Sequence, residues 1–193
     1  KRKFFKKKKI ILLDRDGLIN KKKRKGSYVS NWKEFDLIKK NIEGLYSLSN
    51  NKYKFIIITN QAGIGRKKMT IKKLHFIHKK MIKLLKRKGI NILKIYFCPH
   101  HWIDDCNCRK PKPGLFFKAS SQYNFKLSDV IYIGDDPRDC IAAFSAGSKC
   151  ILINNKKSFK DITKLNKPLA IKRNTVEAIN TINNFYKNSY DYN

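Results

Sequence analysis

Short, fully apolar runs recur along this chain of 193 residues, and several of them stop at polar or acidic residues. The first run, Ile10–Leu13, is too short for a helix and consists of aliphatic side chains, which is typical of a buried parallel strand. Helix-like segments, with apolar residues spaced three and four apart, separate these runs. Strands that alternate with helices predict an α/β fold: a right-handed, doubly wound parallel sheet.

The same patterns place the individual elements. Strands are predicted over residues 10–13, 55–59, 92–97, 130–135 and 150–153. Helices are predicted over residues 40–50, 71–88, 115–123, 139–146 and 177–186, the second of them with Thr70 as its N-cap and Gly89 after its end. Residues 18–35 are polar and basic, and we expect a loop or flap beside the carboxyl end of the first strand.

The domain prediction follows from the length and the absence of linkers. We expect a basic N-terminal extension over residues 1–9, one domain over 10–187 and a polar tail over 188–193. No apolar run approaches the ~20 residues of a membrane span. We therefore expect a monomer in the cytoplasm that has no membrane partner.

Three predicted strands end in reactive polar groups, which are Asp14 with Asp16, Thr59 with Asn60, and Asp135. The carboxyl ends of parallel strands meet at one edge of a sheet, where such folds bind ligands. Clustered carboxylates repel one another unless a cation lies among them, and oxygen ligands suit Mg²⁺. The residues therefore favour phosphoryl chemistry, in which Asp14 attacks a phosphoryl group and Asp16 acts as acid and base.

A second group of residues has the composition of a zinc site. Three cysteines and one histidine lie within eleven residues: Cys98, His100, Cys106 and Cys108. Together they complete a four-coordinate structural site and leave no open position for catalysis. His101 is a less favoured alternative ligand. Cys140 and Cys150 follow core patterns, and His75 and His78 are interpreted as surface or packing residues.

The formal net charge of +31 would attract nucleic acid or any phosphate ester. The lysines are scattered over the whole chain, however, and Asn and Ile are abundant beside them. We interpret the charge as a compositional bias and expect no specific nucleic-acid partner.

Four segments in order resemble the motifs of the haloacid dehalogenase superfamily of phosphatases: Asp14-Arg-Asp16-Gly, Thr59-Asn60-Gln61, Lys110 and Gly134-Asp135. The stretch from Cys98 to Lys110 is similar to the zinc-loop group of that superfamily, which contains heptose 1,7-bisphosphate phosphatases of lipopolysaccharide-precursor synthesis and histidinol-phosphate phosphatases. The resemblance implies a three-layer, Rossmann-like sheet with no large cap domain and with a loop pinned by zinc.

The resemblance also assigns roles to residues. It implies that Asp14 is the nucleophile, that Asp16 is the acid and base, and that Mg²⁺ is bound by Asp14, the backbone carbonyl of Asp16, and Asp135. The substrate, a phosphorylated small molecule such as a sugar bisphosphate, is expected to contact six residues: Thr59, Asn60, Gln61, Arg66, Arg109 and Lys110.

The substrate itself is less constrained by the sequence. The stretch from Thr59 to Arg66 looks more like the heptose enzymes, but the short segment between His100 and Cys106 is closer to the histidinol-phosphate enzymes. Asp136 stands where a basic residue is common in the group. A nucleic-acid 3′-end phosphatase and a non-catalytic, zinc-stapled binding module are the further alternatives, and the second would require one of the site's carboxylates to be missing.

Overall fold

The computed structural model describes residues 9–24, 26–154 and 167–191. Its six strands are β1 (Ile10–Leu13), β2 (Lys54–Asn60), β3 (Ile92–Cys98), β4 (Ile131–Gly134), β5 (Lys149–Ile153) and β6 (Ala170–Lys172). All neighbouring pairs are parallel, and the order across the sheet is β3-β2-β1-β4-β5-β6. The order reverses at β1, so the carboxyl end of β1 lies at the crevice where such sheets bind ligands.

Helices cover both faces of the sheet. They are α1 (Lys39–Asn50), α2 (Ile71–Arg87), α3 (Gly114–Tyr123), α4 (Pro137–Ser145) and α5 (Thr175–Asp191). Successive side chains of β1 point to opposite faces: Ile11 and Leu13 belong to the core under α1, α2 and α5, whereas Ile10 and Leu12 belong to the core under α3 and α4. This confirms the predicted three-layer α/β fold.

The predicted elements are all present, with bounds that differ by one or two residues except that α5 continues to Asp191. Thr70 caps α2 as predicted, since its hydroxyl accepts a hydrogen bond of 3.2 Å from the backbone N–H of Lys73. Gly89 follows the end of α2 with a φ of +73°. The sequence did not predict β6, because this edge strand has three residues and only Ile171 among them is strongly apolar.

The loop after β1 is anchored to the domain rather than being an open flap. Leu18 and Ile19 are fully buried in the core, and Asn20 forms bridges to Asp16 and Leu37. The four basic residues at positions 21–24 are exposed. The start of the loop is therefore anchored in the core, and the lysines that follow lie beside the carboxyl end of β1.

Two boundary predictions fall at the margins of the described residues. Of the expected basic extension only Lys9 is described, and α5 runs through residue 191 into the expected polar tail. No separate cap layer stands over the sheet in the described ranges. The helices of those ranges include none that is both long and apolar enough to cross a bilayer.

Candidate active site and metal-binding loop

The carboxyl ends of β1, β2 and β4 open into one small cavity of about 100 Å³. Because β1 lies between β2 and β4 in the sheet, the residues that follow these strands are neighbours in space. The cavity is lined by Asp14, Asp16, Lys22, Thr59, Asn60, Lys110, Asp136, Arg138 and Asp139. The lining thus contains Asp14, Asp16, Thr59 and Asn60 of the predicted polar strand ends but not Asp135, and it adds residues that were not predicted.

Lys110 is the buried cation of this cavity, with 3% of its surface exposed. Its Nζ lies 2.9 Å from Asp14 Oδ1 and 2.7 Å from Asp139 Oδ1, and it donates to the Tyr132 hydroxyl at 2.6 Å. Burial lowers the pKa of a lysine, but the two carboxylates outweigh that effect and hold the pKa of Lys110 above its usual range. Lys110 therefore stays charged at the wall of the cavity, beside Asp14.

Three carboxylates form a group suited to a divalent cation. Oxygens of Asp14, Asp135 and Asp139 lie within 4.8 Å of one another. Burial, with the neighbouring carboxylates, raises the pKa of Asp14 to about 6 and that of Asp135 to about 7, although Lys110 and Lys22 oppose these shifts. Asp135 Oδ1 is also buried without a hydrogen-bond partner. An all-oxygen group with an unsatisfied oxygen fits Mg²⁺.

Asp139 was not predicted as a site residue. It is 2% exposed, and its Oδ2 accepts hydrogen bonds of 3.0 and 3.1 Å from the backbone N–H groups of Asp135 and Asp136. The signal in the sequence was the spacing of Asp135 and Asp139, because the first turn of α4 brings a residue four positions later back over the end of β4.

Asp16 lies in the cavity, but its carboxylate is not part of the three-carboxylate group. Arg15 Nη2 and Asn20 Nδ2 donate to its Oδ1 at 2.9 and 2.8 Å, and Gln61 Nε2 donates to its Oδ2 at 2.7 Å. Burial alone would raise the pKa of Asp16, but Arg15 and the amide donors lower it below its ordinary value. The predicted metal contact through its backbone carbonyl stays a prediction.

Gly17 shows why the turn after Asp16 needs glycine. Its φ is +93°, and a Cβ there would collide with the Asp135 carboxylate and the Lys22 side chain. Lys22 Nζ lies 2.6 Å from Asp135 Oδ2, which places a cation from the basic loop at the cavity. Sequence reasoning missed Lys22 because it stands within a run of lysines that look equivalent.

The predicted substrate-binding residues fall into two groups. Thr59, Asn60 and Lys110 line the cavity. Gln61 does not line it, because its side chain donates to Asp16 and to the Thr59 hydroxyl. Arg66 does not line it either: its guanidinium lies 4.6 Å from the centre of the Trp102 ring.

Arg109 lines a second cavity of about 320 Å³, which shares Lys110 and Arg138 with the first. Lys112 and Trp102 complete its basic and aromatic walls. One nitrogen of Arg109 is buried with no hydrogen-bond partner. Lys112 and Arg138 are ion-paired with Asp105 and Asp136, so in this second cavity, which we call the basic cavity, Arg109 is the group with a nitrogen available for an anion.

The four predicted zinc ligands cluster where β3 ends at Cys98 and in the loop that follows. Cys98 Sγ lies 3.5 Å from Cys106 Sγ and 3.7 Å from His100 Nδ1. Cys108 Sγ lies 3.2 Å from His100 Nδ1 and 3.5 Å from Cys106 Sγ. A tetrahedron with Zn–S bonds of about 2.3 Å has S···S edges of roughly 3.7 Å, so these distances fit zinc.

His101 does not belong to this group of four ligand-type side chains. Its Nδ1 accepts a hydrogen bond of 3.2 Å from the Ile103 backbone N–H at the start of a short 3₁₀ helix. The backbone of His101 also contacts Gly65, where a Cβ would collide with it. The loop that carries the zinc cluster is thus packed against the loop that follows β2.

The remaining cysteines and histidines behave as predicted. Cys140 and Cys150 are buried in the core. His75 is exposed, whereas His78 is 5% exposed and its Nε2 lies 3.0 Å from Arg15 Nη1. The sequence did not indicate this contact, since it joins residues 63 positions apart.

Comparison with known proteins agrees with the geometry. The family model described as polynucleotide kinase 3 phosphatase matches residues 9–176. A D-glycero-beta-D-manno-heptose-1,7-bisphosphate 7-phosphatase of Neisseria meningitidis serogroup A is 36% identical over 155 residues, which are 80% of this chain and 82% of that one. The corresponding enzyme of Helicobacter pylori strain 26695 is 37% identical over 150 residues, or 76% and 85% of the two chains.

A solved structure is similar over almost the whole fold. The D,D-heptose 1,7-bisphosphate phosphatase of B. bronchiseptica, crystallised with magnesium and phosphate, has a TM-score of 0.82 and 28% identity. The match covers 91% of this chain and 98% of that one. Together with the family match and the arrangement of Asp14, Lys110 and Asp135, this shows that the chain belongs to the polynucleotide kinase 3 phosphatase family of haloacid dehalogenase-type phosphatases.

Proposed function

We propose that this phosphatase removes the 7-phosphate of D-glycero-D-manno-heptose 1,7-bisphosphate. The relatives that carry that name support the substrate. The observation that carries the proposal is the pairing of the catalytic cavity with the basic cavity, where Arg109 has a buried nitrogen without a partner. A bisphosphate offers one phosphate to each cavity.

The proposed reaction begins at Asp14. Its carboxylate oxygen attacks the phosphorus in line, and the bond from phosphorus to the sugar oxygen breaks as an aspartyl-phosphate forms. Asp16, which Arg15 and the amide donors keep ionised in the free site, takes a proton from the monoprotonated phosphate ester as it binds and gives that proton to the departing sugar oxygen. The same Asp16 then takes a proton from the water that attacks the aspartyl-phosphate, which releases inorganic phosphate and restores Asp14.

The surrounding residues orient and stabilise the phosphoryl group. Lys110, already 2.9 Å from Asp14, neutralises charge on the phosphoryl oxygens, and the Thr59 hydroxyl and Asn60 side chain stand at the same wall of the cavity. Asn60 also exchanges hydrogen bonds with the Lys110 backbone at 3.0 and 3.1 Å. These two hydrogen bonds fix the backbone at Lys110 relative to the end of β2.

Two metals are part of the proposal. Mg²⁺, held by Asp14, Asp135 and the Asp16 carbonyl with Asp139 beside them, would neutralise the phosphate and the clustered carboxylates. Zn²⁺ would bind Cys98, His100, Cys106 and Cys108 and have a structural role only, since four protein ligands close its coordination shell.

A substrate panel tests the proposal. We expect Mg²⁺-dependent release of one phosphate from heptose 1,7-bisphosphate, and no release by folded Asp14→Asn protein. Histidinol phosphate and a 3′-phosphorylated oligonucleotide are the competing substrates. The oligonucleotide is included because the matching family model has a 3′-phosphatase name and because the chain is strongly basic. Faster hydrolysis of either competitor, or turnover by Asp14→Asn, would refute the proposal.

Arg109→Ala provides a sharper test of the basic cavity. Loss of a charged hydrogen-bond donor to the distal phosphate should raise KM for the bisphosphate by roughly tenfold or more. The same change should leave KM for heptose 7-phosphate, which lacks the distal phosphate, nearly unchanged. Equal effects on both substrates would remove the basic cavity from the proposal.

A further inference from the structure

The buried side chain of Arg15 connects the active site to helix α2. Arg15 stands between Asp14 and Asp16 in the sequence and is 1% exposed. Its Nη2 donates to Asp16 Oδ1 at 2.9 Å, and its Nη1 lies 3.0 Å from His78 Nε2 on α2. Its Nε is buried without a hydrogen-bond partner. The direction of the guanidinium therefore depends on the contacts at its two terminal nitrogens.

Only one assignment of donor and acceptor is possible for the contact between Arg15 and His78. A guanidinium has no acceptor, so Arg15 must donate and His78 Nε2 must accept. The histidine is then neutral and carries its proton on Nδ1. Burial, followed by the nearby Arg15 charge, lowers the pKa of His78 to about 3, so the neutral form persists at the pH values where a phosphatase works.

Asp16 needs a fixed direction if it is to pass a proton. The carboxylate is held by Arg15 and Asn20 on one oxygen and by Gln61 on the other. Asn20 and Gln61 reach Asp16 through shorter side chains, whereas the long Arg15 side chain has an unpartnered Nε and is held at its other terminal nitrogen by His78. Proton transfer is sensitive to such placement, and a misplacement of about 1 Å can cost about 100-fold in rate.

We propose that His78 is a positioning residue for Asp16: it holds the Arg15 guanidinium, which in turn orients the Asp16 carboxylate toward the leaving oxygen. The inference rests on the proposed function in its assignment of acid and base chemistry to Asp16, but it does not depend on which phosphate ester is hydrolysed. His78 itself touches no reacting atom.

The dependence of kcat/KM on the leaving group distinguishes a positioning role of His78 from general damage to the fold. An alkyl phosphate needs a proton on its departing oxygen, whereas p-nitrophenyl phosphate leaves readily without one. We expect His78→Leu to lower kcat/KM for an alkyl phosphate by about 10- to 100-fold. With p-nitrophenyl phosphate, kcat/KM should stay within about threefold of wild type, because it reports only the steps up to loss of the leaving group.

The second half-reaction gives an independent signal from the same variant. Water activation also needs Asp16, so His78→Leu should release a burst of one p-nitrophenolate per active site and then turn over slowly. A uniform loss with both substrates and no burst would indicate a structural role and overturn the inference, as would wild-type kinetics throughout.

The chain offers matched controls. His75 lies on the same helix, and its ring contacts Phe97 much as that of His78 does, with centroids 5.6 and 5.8 Å apart, but it is exposed. We therefore expect His75→Leu to be kinetically silent. His78→Gln, whose side-chain oxygen can reach the position of Nε2, should recover most of the alkyl-phosphate activity, and the shorter His78→Asn should not.

The comparison of His78→Gln with His78→Asn remains informative if His78→Leu folds poorly, because Gln and Asn are both polar amides. Equal activity of His78→Gln and His78→Asn would overturn the inference. Failure of the proposed function has a different outcome: wild-type enzyme would hydrolyse another alkyl phosphate in preference to heptose 1,7-bisphosphate. In that case the His78 comparison is made with the preferred alkyl phosphate.

Discussion

At the scale of single residues, the site is dominated by one buried cation and the carboxylates around it. Lys110 has ion pairs with Asp14 and Asp139, and both acidic side chains are almost completely buried. Separation of a buried charge from its partner is costly, because neither water nor another group replaces the lost contact. Asp139 is therefore expected to stabilise the fold as well as the site.

Asp139→Asn should lower the free energy of unfolding by about 3 kcal/mol, since it removes one of the two charges that neutralise buried Lys110. Urea denaturation measures the loss. Asp36→Asn is the control: Asp36 also pairs with a lysine, at 2.6 Å from Lys21 Nζ, but both partners are exposed. That surface pair should contribute less than about 1 kcal/mol. Similar losses in the two variants would contradict the prediction.

The carboxylate group also predicts how Mg²⁺ binding depends on pH. The pKa values of Asp14 and Asp135, about 6 and about 7, are raised above those of an unfolded chain. Their protonated forms therefore favour the metal-free fold at low pH, and this contribution is lost as pH rises through about 7. Mg²⁺ should restore stability where the carboxylates are ionised.

We therefore expect Mg²⁺ to raise the Tm of the metal-free protein more at about pH 8 than at about pH 5.5. Thermal unfolding with and without Mg²⁺ at the two pH values checks this. Asp135→Asn should reduce the Mg²⁺ shift at the higher pH. A shift of equal size at both pH values would mean that these carboxylates do not bind the ion.

At the scale of elements, the sequence predicted best those segments whose burial is complete. Strands β1 and β4 consist of residues that are fully buried, and such runs are unambiguous. Strand β6 has no buried residue, so its place is determined by pairing with β5 and not by its own pattern. The clustering of Cys98, His100, Cys106 and Cys108 was predictable for another reason, because Cys and His residues at such short spacing indicate side chains that could share one site.

The zinc cluster gives the prediction at this scale. We expect one tightly bound zinc per chain in protein purified without added metal, measured by elemental analysis. Cys106→Ser should lose the metal, make the loop sensitive to proteolysis and weaken substrate binding without abolishing turnover, because the cluster leaves no ligand for catalysis. His101→Ala, which changes the neighbouring histidine outside the cluster, should keep its zinc. Stoichiometric zinc in Cys106→Ser would contradict the assignment.

At the scale of the whole molecule, the topology explains which site residues could be found in advance. Asp14, Thr59 and Asp135 follow strands that are adjacent in the sheet, so the prediction of a parallel sheet already brought them together. Lys22 reaches the cavity from a loop, and His78 contacts Arg15 from a helix that packs on one face of the sheet. Their side-chain directions depend on long-range packing, which no local pattern in the sequence records.

The position of Lys22 changes how the charge of the molecule should be tested. The net charge is +31, but the lysines of the loop after β1 are not equivalent: Lys22 lies 2.6 Å from Asp135 and lines the cavity, whereas Lys21 and Lys23 do not line it. Exposed charges act on a distant anion only as a screened field. If the basic surface reflects only a compositional bias, replacing Lys21 and Lys23 should have little effect on the hydrolysis of a small substrate.

We therefore expect Lys21→Gln/Lys23→Gln to leave hydrolysis of the sugar bisphosphate within about twofold of wild type at physiological salt, where screening acts within about 8 Å. Arg109→Ala should cost more, because Arg109 lines the basic cavity. Binding to end-phosphorylated DNA should be weak, independent of sequence and steeply dependent on salt, since it rests on counterion release. Loss of the two exposed lysines should weaken that DNA binding and flatten its salt dependence. If the double variant instead loses more sugar-phosphatase activity than Arg109→Ala, the loop lysines bind substrate directly and the surface charge has been selected for function.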